Sequence, residues 1–452
     1  MNLYRMLQKR EAENHPIRVG VIGAGKFASM FLAQARLTPG LQVAGVADLS
    51  LERARAACLR TGWPEEQLRA ALKSSDINAA AREGRVALCE NAFALIESEL
   101  DIILEVTGVP EAGVEHACRA FDQEKDVVLV NVEADVLAGP VLKHKAEEKQ
   151  RILSMAYGDQ PALIAEQVDW ARTIGLEVIC AGKGTRYQPA YHYSTPDTVW
   201  GHYGFTAEQV ASGDFNAQMF NSFLDGTKSA IEMAAVCNGT GLVPQSEGLQ
   251  FPAVGAHQLA EVLKPASEGG VLTCDQTVEV LASETRDGKP VPNDLRWGVY
   301  VVFRAPTEYA RRCFGEYGLV TDASGWYAAL YRPSHLIGLE LGISVASVGL
   351  RREPTGSTAS FQADCVAAAK QDLQAGASLD GEGGFTVYGR LMDAGDSVSG
   401  NCLPMGLTGK AKLLKPVLKD QVLTYADVDL DATSPAYRLR REMEAARGLN
   451  SE

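Results

Sequence analysis

Apolar and polar residues alternate along the first 160 residues in a pattern of short strands separated by helices. The run "IRVGVIG" at 17–23 predicts a strand that leads into a helical pattern from about Lys26, and "LQVAGVAD" at 41–48 predicts the second strand. Further apolar runs occur at 101–108, 126–133 and 151–159. Strands that alternate with helices are typical of α/β proteins with a doubly wound parallel sheet. We therefore predict an N-terminal α/β domain over residues 1–158.

The turn after the first predicted strand has the spacing of a dinucleotide-binding loop. Gly23, Gly25 and Ala28 form G-x-G-x-x-A. In this pattern the first glycine allows a tight turn, the second lets a pyrophosphate approach the backbone, and the alanine lets helix and strand pack closely. Lys26 and Phe27, at the start of the helix, are included among the predicted cofactor contacts. The spacing predicts a Rossmann domain that binds NAD(P), and the alternative is a glycine-rich turn that binds no ligand.

The residues expected near the adenosine ribose favour two different cofactors. Asp48 ends the second predicted strand, 23 residues after Gly25, where a carboxylate can bind the ribose of NAD and repel the 2′-phosphate of NADP. Ser50 and Arg53 follow closely and can supply contacts to that phosphate. These residues leave the choice between NAD and NADP open.

Polar residues also follow the later strands of the predicted sheet. Ligands of doubly wound sheets bind beyond the carboxyl ends of the strands, so some of these residues should face the nicotinamide. They are Glu105, Thr107, Gly108, Asn131, Glu133 and Asp159. Thr107 and Gly108 are predicted to lie beside the nicotinamide ribose, although a plain turn at the strand end explains them equally well.

The pattern changes after Asp159 to mixed helices and β-rich segments, which predicts an α+β substrate and dimerisation domain over residues 159–395. In this region "LEVICAGKGTRYQP" predicts a strand that runs into a glycine-containing loop with Lys183 and Arg186. Such a basic pair can bind the phosphate or carboxylate of a substrate. The alternative is a solvated loop that is basic by chance.

The segment "FNSFLDGTKSAIEMA" at 220–234 carries charges inside an apolar helical pattern. At 3.6 residues per turn, Asp225, Lys228 and Glu232 lie within roughly 60° of one another, so one helix face presents two carboxylates and an amine. Asn221 and Ser222 precede them. This face is a candidate catalytic site, and the alternative is an ion-paired helix surface.

Composition argues against several classes of protein. The 452 residues carry a formal net charge of −14 without a basic block, so nucleic-acid binding is not expected. No apolar run approaches the ~18 residues of a membrane span, and the N-terminus is charged where a signal peptide is apolar. The nine cysteines are scattered without a C-x-x-C pair, which predicts reduced thiols in a cytoplasmic protein that binds neither zinc nor a membrane.

Several motifs carry a resemblance to known oxidoreductases. The first 160 residues, with "FLDGTKSAIE", resemble the homoserine dehydrogenase type of NAD(P)-binding enzyme. The whole chain, through "NVEAD", "GDQPALI", "AGKGTRY" and "LDGEGGFTV", resembles the 1-deoxy-D-xylulose 5-phosphate reductoisomerase-like proteins of some bacteria. Residues 396–452 are predicted as a small β-rich third domain, and the part after Gly400 resembles the SAF (β-clip) domain.

The resemblance implies a reaction, a cofactor and an assembly. The reaction rearranges 1-deoxy-D-xylulose 5-phosphate and reduces the resulting aldehyde to 2-C-methyl-D-erythritol 4-phosphate, a step in isoprenoid precursor synthesis. It implies NADP(H) as cofactor, with NAD(H) as the alternative, a small phosphorylated substrate, and a homodimer.

The same resemblance gives roles to the charged helix. Lys228 would polarise a carbonyl or hold the phosphate, Asp225 would orient that lysine, and Glu232 would bind a divalent cation or move a proton. Asn221 and Ser222 would donate hydrogen bonds to the phosphate or cap the helix.

A site for Mg²⁺ or Mn²⁺ is also implied. Glu133, Asp159 and Glu232 would supply the oxygen ligands that these ions prefer. Val132 and Pro161 stand where conventional reductoisomerases carry lysine and glutamate, so the site departs from the conventional one.

Three hypotheses about function therefore follow from the sequence. The first is the reductoisomerase, and the second is an NAD(P)-dependent dehydrogenase of another small hydroxy-aldehyde or hydroxy-acid. The third is a non-catalytic nucleotide sensor, against which the intact glycine loop and the charged helix argue.

Overall fold

The computed structural model describes residues 2–212 and 215–449. The chain divides into two compact units. Unit 1 consists of Met1–Ala162 and Leu336–Thr358, and unit 2 consists of Leu163–His335 and Ala359–Glu452. The second segment of unit 1 thus comes from the region predicted as the substrate domain.

Unit 1 is built on a seven-stranded sheet in which every neighbouring pair of strands is parallel. Its strands are β1 (Ile17–Ile22), β2 (Leu41–Ala47), β3 (Leu68–Ala70), β4 (Val86–Cys89), β5 (Ile102–Glu105), β6 (Asp126–Leu129) and β7 (Leu153–Met155). The strand order is β3-β4-β2-β1-β5-β6-β7, so the direction of winding reverses after β1. The predicted α/β class with a Rossmann-type parallel sheet is confirmed.

Helices cover the faces of this sheet. They are α1 (Leu3–Ala12), α2 (Lys26–Ala35), α3 (Leu51–Arg60), α4 (Ser74–Arg82), α5 (Ala92–Ile96), α6 (Pro110–Asp122), α7 (Val132–Glu148) and α15 (Gly342–Arg351). A further helix, α8 (Gln160–Thr173), contains the boundary between the units, and Glu65–Gln67 forms a short 3₁₀ turn. Side chains cap three of the helices, because Ser50, Asn91 and Asn131 accept backbone N–H groups at the starts of α3, α5 and α7.

Helix α15 belongs to the core of unit 1. Its residues Val345 and Val348 are buried in the cluster that contains Ile17 and Val19 of β1. Gly349 permits this packing, since a Cβ atom there would lie 2.7 Å from the Ile17 side chain. The sheet is therefore completed by a helix that lies far from it in the sequence.

Unit 2 contains a five-stranded mixed sheet. Its strands are β8 (Glu177–Thr185), β9 (Thr277–Ala282), β10 (Val299–Arg304), β11 (Val320–Thr321) and β12 (Tyr327–Arg332), in the order β11-β12-β10-β8-β9. Only β8 and β9 are parallel, and the other pairs are antiparallel. All six residues of β9 and all but the first residue of β8 are buried, so this edge of the sheet lies inside the unit.

Unit 2 also contains eight described helices, some of which pack against this sheet or against a second, two-stranded one. They are α9 (Val199–Tyr203), α10 (Ala207–Ser212), α11 (Ala217–Leu224), α12 (Thr227–Thr240), α13 (Leu259–Val262), α14 (Glu308–Glu316), α16 (Ala394–Ser399) and α17 (Pro435–Leu449). Short 3₁₀ turns occur at Pro189–Tyr193, Ala256–Gln258, Ala266–Glu268, Met405–Leu407 and Tyr425–Asp427. The almost fully buried α12 packs against β9 and against the two-stranded sheet of β13 (Ala363–Ala369) and β14 (Val387–Asp393).

Of residues 396–452, which were predicted as a separate domain, the described residues 396–449 are grouped with unit 2. They contain β15 (Lys412–Leu413) and β16 (Val428–Asp429), and bridges join Pro404 and Val422 to β13. Arg440 of α17 is fully buried and pairs with Asp364 of β13. This buried pair joins α17 to β13.

Within the described part of the chain, no helix combines the length and the apolar character needed to cross a membrane.

Candidate functional site

The glycine loop of unit 1 leaves open space at the start of α2. Gly23 has a φ of +106°, and a Cβ atom there would lie 2.9 Å from the carbonyl oxygen of Val106. Gly25 precedes α2 and is exposed, and no described atom would lie within 4 Å of a Cβ placed on it. Lys26 is exposed and Phe27 is half-buried beside it. The N-terminus of α2 therefore has free N–H groups and room for a phosphate.

Asp48 braces this loop. Its Oδ2 accepts a hydrogen bond from the backbone N–H of Ala24 (2.9 Å), and its Oδ1 accepts one from the N–H of Ser50 (3.0 Å). Arg53 also donates to both oxygens, at 3.1 and 3.2 Å. The Asp48 side chain is 4% exposed whereas that of Arg53 is 64% exposed. The carboxylate is thus already engaged, and the cation is the group that faces solvent.

The carboxyl end of β5 carries a buried carboxylate that lacks part of its hydrogen bonding. Oε1 of Glu105 accepts from the Thr107 hydroxyl (2.6 Å) and contacts Nδ1 of His116 (3.2 Å). Its Oε2 is buried and has no hydrogen-bond partner among the described residues. His116 was not predicted from the sequence, because it lies within α6 rather than at a strand end.

Thr107, Gly108 and Asn131, which were predicted as cofactor contacts, lie together at this end of the sheet. The Asn131 amide donates to the Thr107 hydroxyl (3.3 Å) and to the carbonyl of Val109 (2.9 Å). Gly108 is exposed and has a φ of +67°. The amide of Asn131 therefore ties the end of β6 to the turn after β5.

The predicted metal ligands are divided between the two units. Glu133 and Asp159 are buried in unit 1, where Oδ1 of Asp159 accepts the N–H of Gln160 (2.9 Å), and Glu232 is buried in unit 2. Over residues 2–212 and 215–449, no three side chains of His, Cys, Asp or Glu are grouped as metal ligands.

A buried carboxylate that sequence reasoning missed lies close to Glu133. Burial raises the pKa of Asp135 to about 7. Its Oδ2 has no hydrogen-bond partner among the described residues, and the same holds for the hydroxyl of Thr358. Both side chains meet at Gly139, where a Cβ atom would lie 2.4 Å from the Asp135 carboxylate and 3.2 Å from the Thr358 methyl group.

In unit 2, the predicted charged face is interrupted, because Asp225 lies in a break between two helices while Lys228 and Glu232 share the second helix. Helix α11 ends at Leu224 and α12 begins at Thr227, because Gly226 has a φ of +86° and interrupts the helical path. Oδ1 of Asp225 accepts the N–H of Thr227 (2.9 Å). Lys228 lies half-buried in the first turn of α12, so Asp225 does not share its helix.

The partner of Asp225 is a lysine from a distant part of the chain. Nζ of Lys370 lies 2.7 Å from Oδ2 of Asp225, and both side chains are almost completely buried. Lys370 also donates to the carbonyls of Ser194 (2.8 Å) and Gly384 (2.7 Å). Burial, opposed by this lysine, raises the pKa of Asp225. The pair fixes the break between α11 and α12.

Lys183 is not on a loop, which corrects the sequence prediction. It lies within β8 and forms a buried ion pair with Glu232 of α12, with 3% and 2% of the two side chains exposed. The flanking glycines are needed for sheet packing. A Cβ atom on Gly182 would lie 1.9 Å from the Glu279 carbonyl oxygen, and one on Gly184 would lie 2.0 Å from that of Leu295.

Asn221 and Ser222 lie inside α11 and do not cap a helix. The Asn221 amide donates to the carbonyls of Ser194 (3.0 Å) and Gly383 (2.8 Å), and its oxygen accepts from the Ser194 hydroxyl (2.6 Å). The Ser222 hydroxyl donates to the carbonyl of Met219 (2.8 Å). Both side chains are buried. Asn221 joins α11 to the segments of Ser194 and Gly383, whereas Ser222 bonds within its own helix.

Arg186 directly follows β8 and is half-buried. Its Nη2 lies 2.8 Å from Oε1 of Glu284, whose other oxygen accepts from the Tyr191 hydroxyl (3.3 Å). Of the two basic residues predicted to bind a substrate anion, Arg186 is therefore the one nearer to solvent.

A cavity of about 350 Å³ lies at the opposite end of the unit 1 sheet. Asp126, Arg151 and Arg352 are among the residues that line it. Arg151 donates to the carbonyl of Glu124 (3.2 Å), and Arg352 donates to that of Gln150 (3.3 Å). These carbonyls follow the C-termini of α6 and α7, so the basic residues neutralise helix ends, and the cavity is separate from the glycine loop.

Two families match adjoining segments of the chain. Residues 17–157 match the family described as "Oxidoreductase family, NAD-binding Rossmann fold". Residues 158–341 match the family described as "Oxidoreductase DRL, catalytic domain". Both descriptions name oxidoreductases, which confirms the predicted class of an NAD(P)-dependent oxidoreductase. No curated protein matches the chain.

Several solved structures are similar to parts of the chain. KijD10, a 3-ketoreductase from Actinomadura kijaniata, is 20% identical over 39% of this chain and 50% of its own, with a TM-score of 0.25. A probable dehydrogenase from Thermotoga maritima is 12% identical over 75% and 90%, with a TM-score of 0.39. The myo-inositol dehydrogenase from Lactobacillus casei is 17% identical over 41% and 50%, with a TM-score of 0.28. The chain spans about half the length of the ketoreductase that it matches.

The identification with reductoisomerases or homoserine dehydrogenases is wrong. The matched families are the NAD-binding oxidoreductases with a Rossmann fold, over residues 17–157, and the DRL oxidoreductase catalytic domain, over residues 158–341. The motifs on which the resemblance rested, such as "NVEAD", "GDQPALI" and "AGKGTRY", are short, and one fold serves many different reactions, so they do not specify one reaction. The SAF and isoprenoid assignments are withdrawn with it.

Proposed function

We propose that the protein is a dehydrogenase that transfers hydride between a nicotinamide cofactor and a small hydroxy-aldehyde or hydroxy-acid. The observation that carries this proposal is the open space at Gly25, directly before α2 and at the carboxyl end of a parallel sheet. A pyrophosphate fits there because no described residue fills the space and the helix N-terminus favours negative charge.

The nicotinamide, when bound, supplies or accepts the hydride. The residues at the ends of β5 and β6 suit its position in a doubly wound sheet. Thr107 and Asn131 are the side chains that would bind the nicotinamide ribose, and the unpartnered Oε2 of Glu105 gives this end of the sheet an unused acceptor. Their part is to bind and orient the cofactor.

In unit 2, we assign the charge that stabilises the substrate oxygen to Lys228. An ammonium in the first turn of α12 can hold the oxyanion that forms when a carbonyl is reduced, and can return a proton to it. Asp225 and Lys370 are positioning residues in this scheme, since their ion pair fixes the helix break that places Lys228. Lys183 of β8 and Glu232 of α12 pair with each other.

Two sequence predictions stay proposals. Binding of Mg²⁺ or Mn²⁺ would make turnover sensitive to a chelator, and readdition of the metal would restore it. A homodimer would appear as twice the chain mass in sedimentation or light scattering.

We also propose that NADPH is the preferred cofactor, because Arg53 places an exposed cation beside Asp48, whose carboxylate is already ion-paired. Arg53→Ala is then expected to weaken NADPH binding about 10- to 100-fold, the range for a lost charged hydrogen bond, and to leave NADH binding nearly unchanged. The measurement is a fluorescence titration of both cofactors. Arg55→Ala on the same helix, which removes a pair with Glu65 instead, is the matched control. An equal loss for both cofactors would contradict the proposal.

The role of Lys228 is tested by turnover on a panel of small hydroxy-aldehydes and hydroxy-acids. Lys228→Met is expected to lower kcat/KM by about 100-fold on the substrates that wild type accepts, while cofactor binding persists. Lys289→Met, which removes an exposed lysine paired with Asp287, is the control and should turn over normally. Failure of wild type to oxidise or reduce a cofactor with any member of the panel would refute the dehydrogenase proposal.

A further inference from the structure

Arg296 of unit 2 is held by aromatic rings. Its guanidinium lies 4.7 Å from the centre of the Trp297 ring and 5.7 Å from that of Tyr203. The residue is half-buried, and the hydrogen bond to Asp294 (2.8 Å) comes from its backbone N–H. Among the residues that the structure describes, none pairs with the Arg296 guanidinium by an ion pair or hydrogen bond. Within residues 2–212 and 215–449, the N–H donors of its side chain are therefore unused.

Arg186 approaches the same tyrosine. Its guanidinium lies 6.0 Å from the Tyr203 ring centre, and 22% of its side chain is exposed. Nη2 pairs with Glu284, but Nε is buried without a hydrogen-bond partner in the described part of the chain. Two guanidinium groups thus share one ring, and one carboxylate partly compensates the two charges.

The proximity of these arginines follows from the backbone of β8. A Cβ atom on Gly184 would lie 2.0 Å from the Leu295 carbonyl oxygen and 2.7 Å from the Arg296 nitrogen. The glycine therefore lets the segment of Arg296 run directly against the strand whose next residues lead to Arg186. A strand and a segment packed against it thus bring the two guanidinium groups to the same ring.

This arrangement suits the binding of an oxyanion. A guanidinium presents a planar fork of N–H donors that matches carboxylate and phosphate oxygens. An aromatic face holds the guanidinium by its charge without using those donors. The positive charge of the two arginines is half-buried and only partly compensated. It therefore attracts anions locally, although the chain has a net charge of −14.

We propose that Arg186 and Arg296, held against Tyr203, bind the carboxylate or phosphate group of the substrate. That this anion belongs to a substrate rests on the proposed dehydrogenase function. The inference narrows the substrates to anionic hydroxy-aldehydes and hydroxy-acids. Arg296 takes the place that sequence reasoning gave to Lys183, whose ammonium is paired with Glu232.

The test is calorimetric titration of the full chain, without nucleotide, with malonate as the carboxylate probe and inorganic phosphate as the phosphate probe. Wild type is expected to bind at least one of them, and the stronger one identifies the source of the oxyanion. Arg296→Ala and Arg186→Gln should each weaken that binding about 10- to 100-fold. Arg312→Ala is the matched control, because Arg312 stacks on Tyr309 at 5.6 Å on the surface.

Circular dichroism and NADPH titration show whether each variant is folded. The affinity of Arg296→Lys for the probe should lie between those of wild type and Arg296→Ala, because lysine keeps the charge but loses the fork of N–H donors. No binding of either probe by wild type, or equal binding by wild type and folded Arg296→Ala, would overturn the inference. Because this readout uses neither cofactor nor turnover, probe binding in a protein that turns over no carbonyl would support the anion site and refute the dehydrogenase function alone.

Discussion

Replacement of Lys183 by methionine is expected to lower the free energy of unfolding by about 3–5 kcal/mol, the cost of leaving a buried charge without its partner. The lysine and Glu232 are 3% and 2% exposed, so water cannot replace the missing ammonium. Methionine fills a similar volume, which restricts the change mainly to the charge. This would place the variant among the more destabilising single substitutions.

The measurement is urea unfolding of the protein without cofactor, with circular dichroism as the signal that monitors unfolding. Lys9→Met is the matched control, since Lys9 pairs with Glu13 on an exposed helix with 76% and 53% of the side chains exposed. Its loss should be at the low end for surface pairs, below about 1 kcal/mol. The double variant Lys183→Met with Glu232→Leu should recover much of the stability, because a buried pair can be replaced by apolar residues of similar volume.

The two outcomes separate a structural role from a substrate-binding one. A large loss that the double variant recovers would identify the pair as part of the framework of unit 2. If Lys183→Met instead unfolded at the same midpoint urea concentration as wild type, Glu232 would not need this lysine for stability. The earlier expectation that Lys183 binds substrate would then regain support.

The nucleotide-binding unit could be predicted from local sequence because its determinants are local. Apolar runs, the glycine loop and Asp48 all lie within a few dozen residues, and the parallel sheet follows from their order. Even here a long-range contact changed the interpretation, since the Asp48 carboxylate turned out to be engaged by Ala24, Ser50 and Arg53.

The site in unit 2 could be predicted less well because glycines have several structural uses. The sequence suggested a flexible basic loop around Lys183, whereas Gly182 and Gly184 are required for close approach of neighbouring backbone. Gly226 was passed over inside an apparently continuous helix, yet its φ of +86° divides that helix. One sequence does not distinguish a glycine that confers flexibility from one that permits close packing.

Partners far apart in sequence could not be predicted at all. Nothing near Asp225 indicates that Lys370 pairs with it, and nothing near Arg186 indicates that Arg296 shares its aromatic neighbour. Such pairs depend on how separate strands and helices assemble. For the same reason, the charges at 225–232 could be recognised as unusual, but their roles depend on contacts that only the folded chain shows.

The second large effect concerns Asp135 and the pH dependence of stability. Burial raises its pKa from 3.8 to about 7, so the folded protein keeps a proton that the unfolded chain loses near pH 4. The stability associated with that proton is fully present below pH 4 and is lost as the pH rises through about 7. At about 1.4 kcal/mol for each pH unit, this is a loss on the order of 4 kcal/mol. Glu279, whose pKa burial also raises to about 7, acts in the same direction.

Asp135→Asn is therefore expected to reduce the fall in unfolding free energy between pH 4 and pH 8, and to make the variant more stable than wild type above pH 7 by up to about 3–4 kcal/mol. Urea unfolding at closely spaced pH values measures this slope. Glu279→Gln should also reduce this slope, because it removes a second carboxyl group that keeps its proton in the folded protein. Asp287→Asn is the control, because Asp287 is exposed and hydrogen bonds from Lys289 and Thr285 lower its pKa, so it titrates below this range. A slope unchanged in Asp135→Asn would mean that the aspartate is ionised in the folded protein and that its unpartnered oxygen is stabilised by a cation or by water bound beside Thr358.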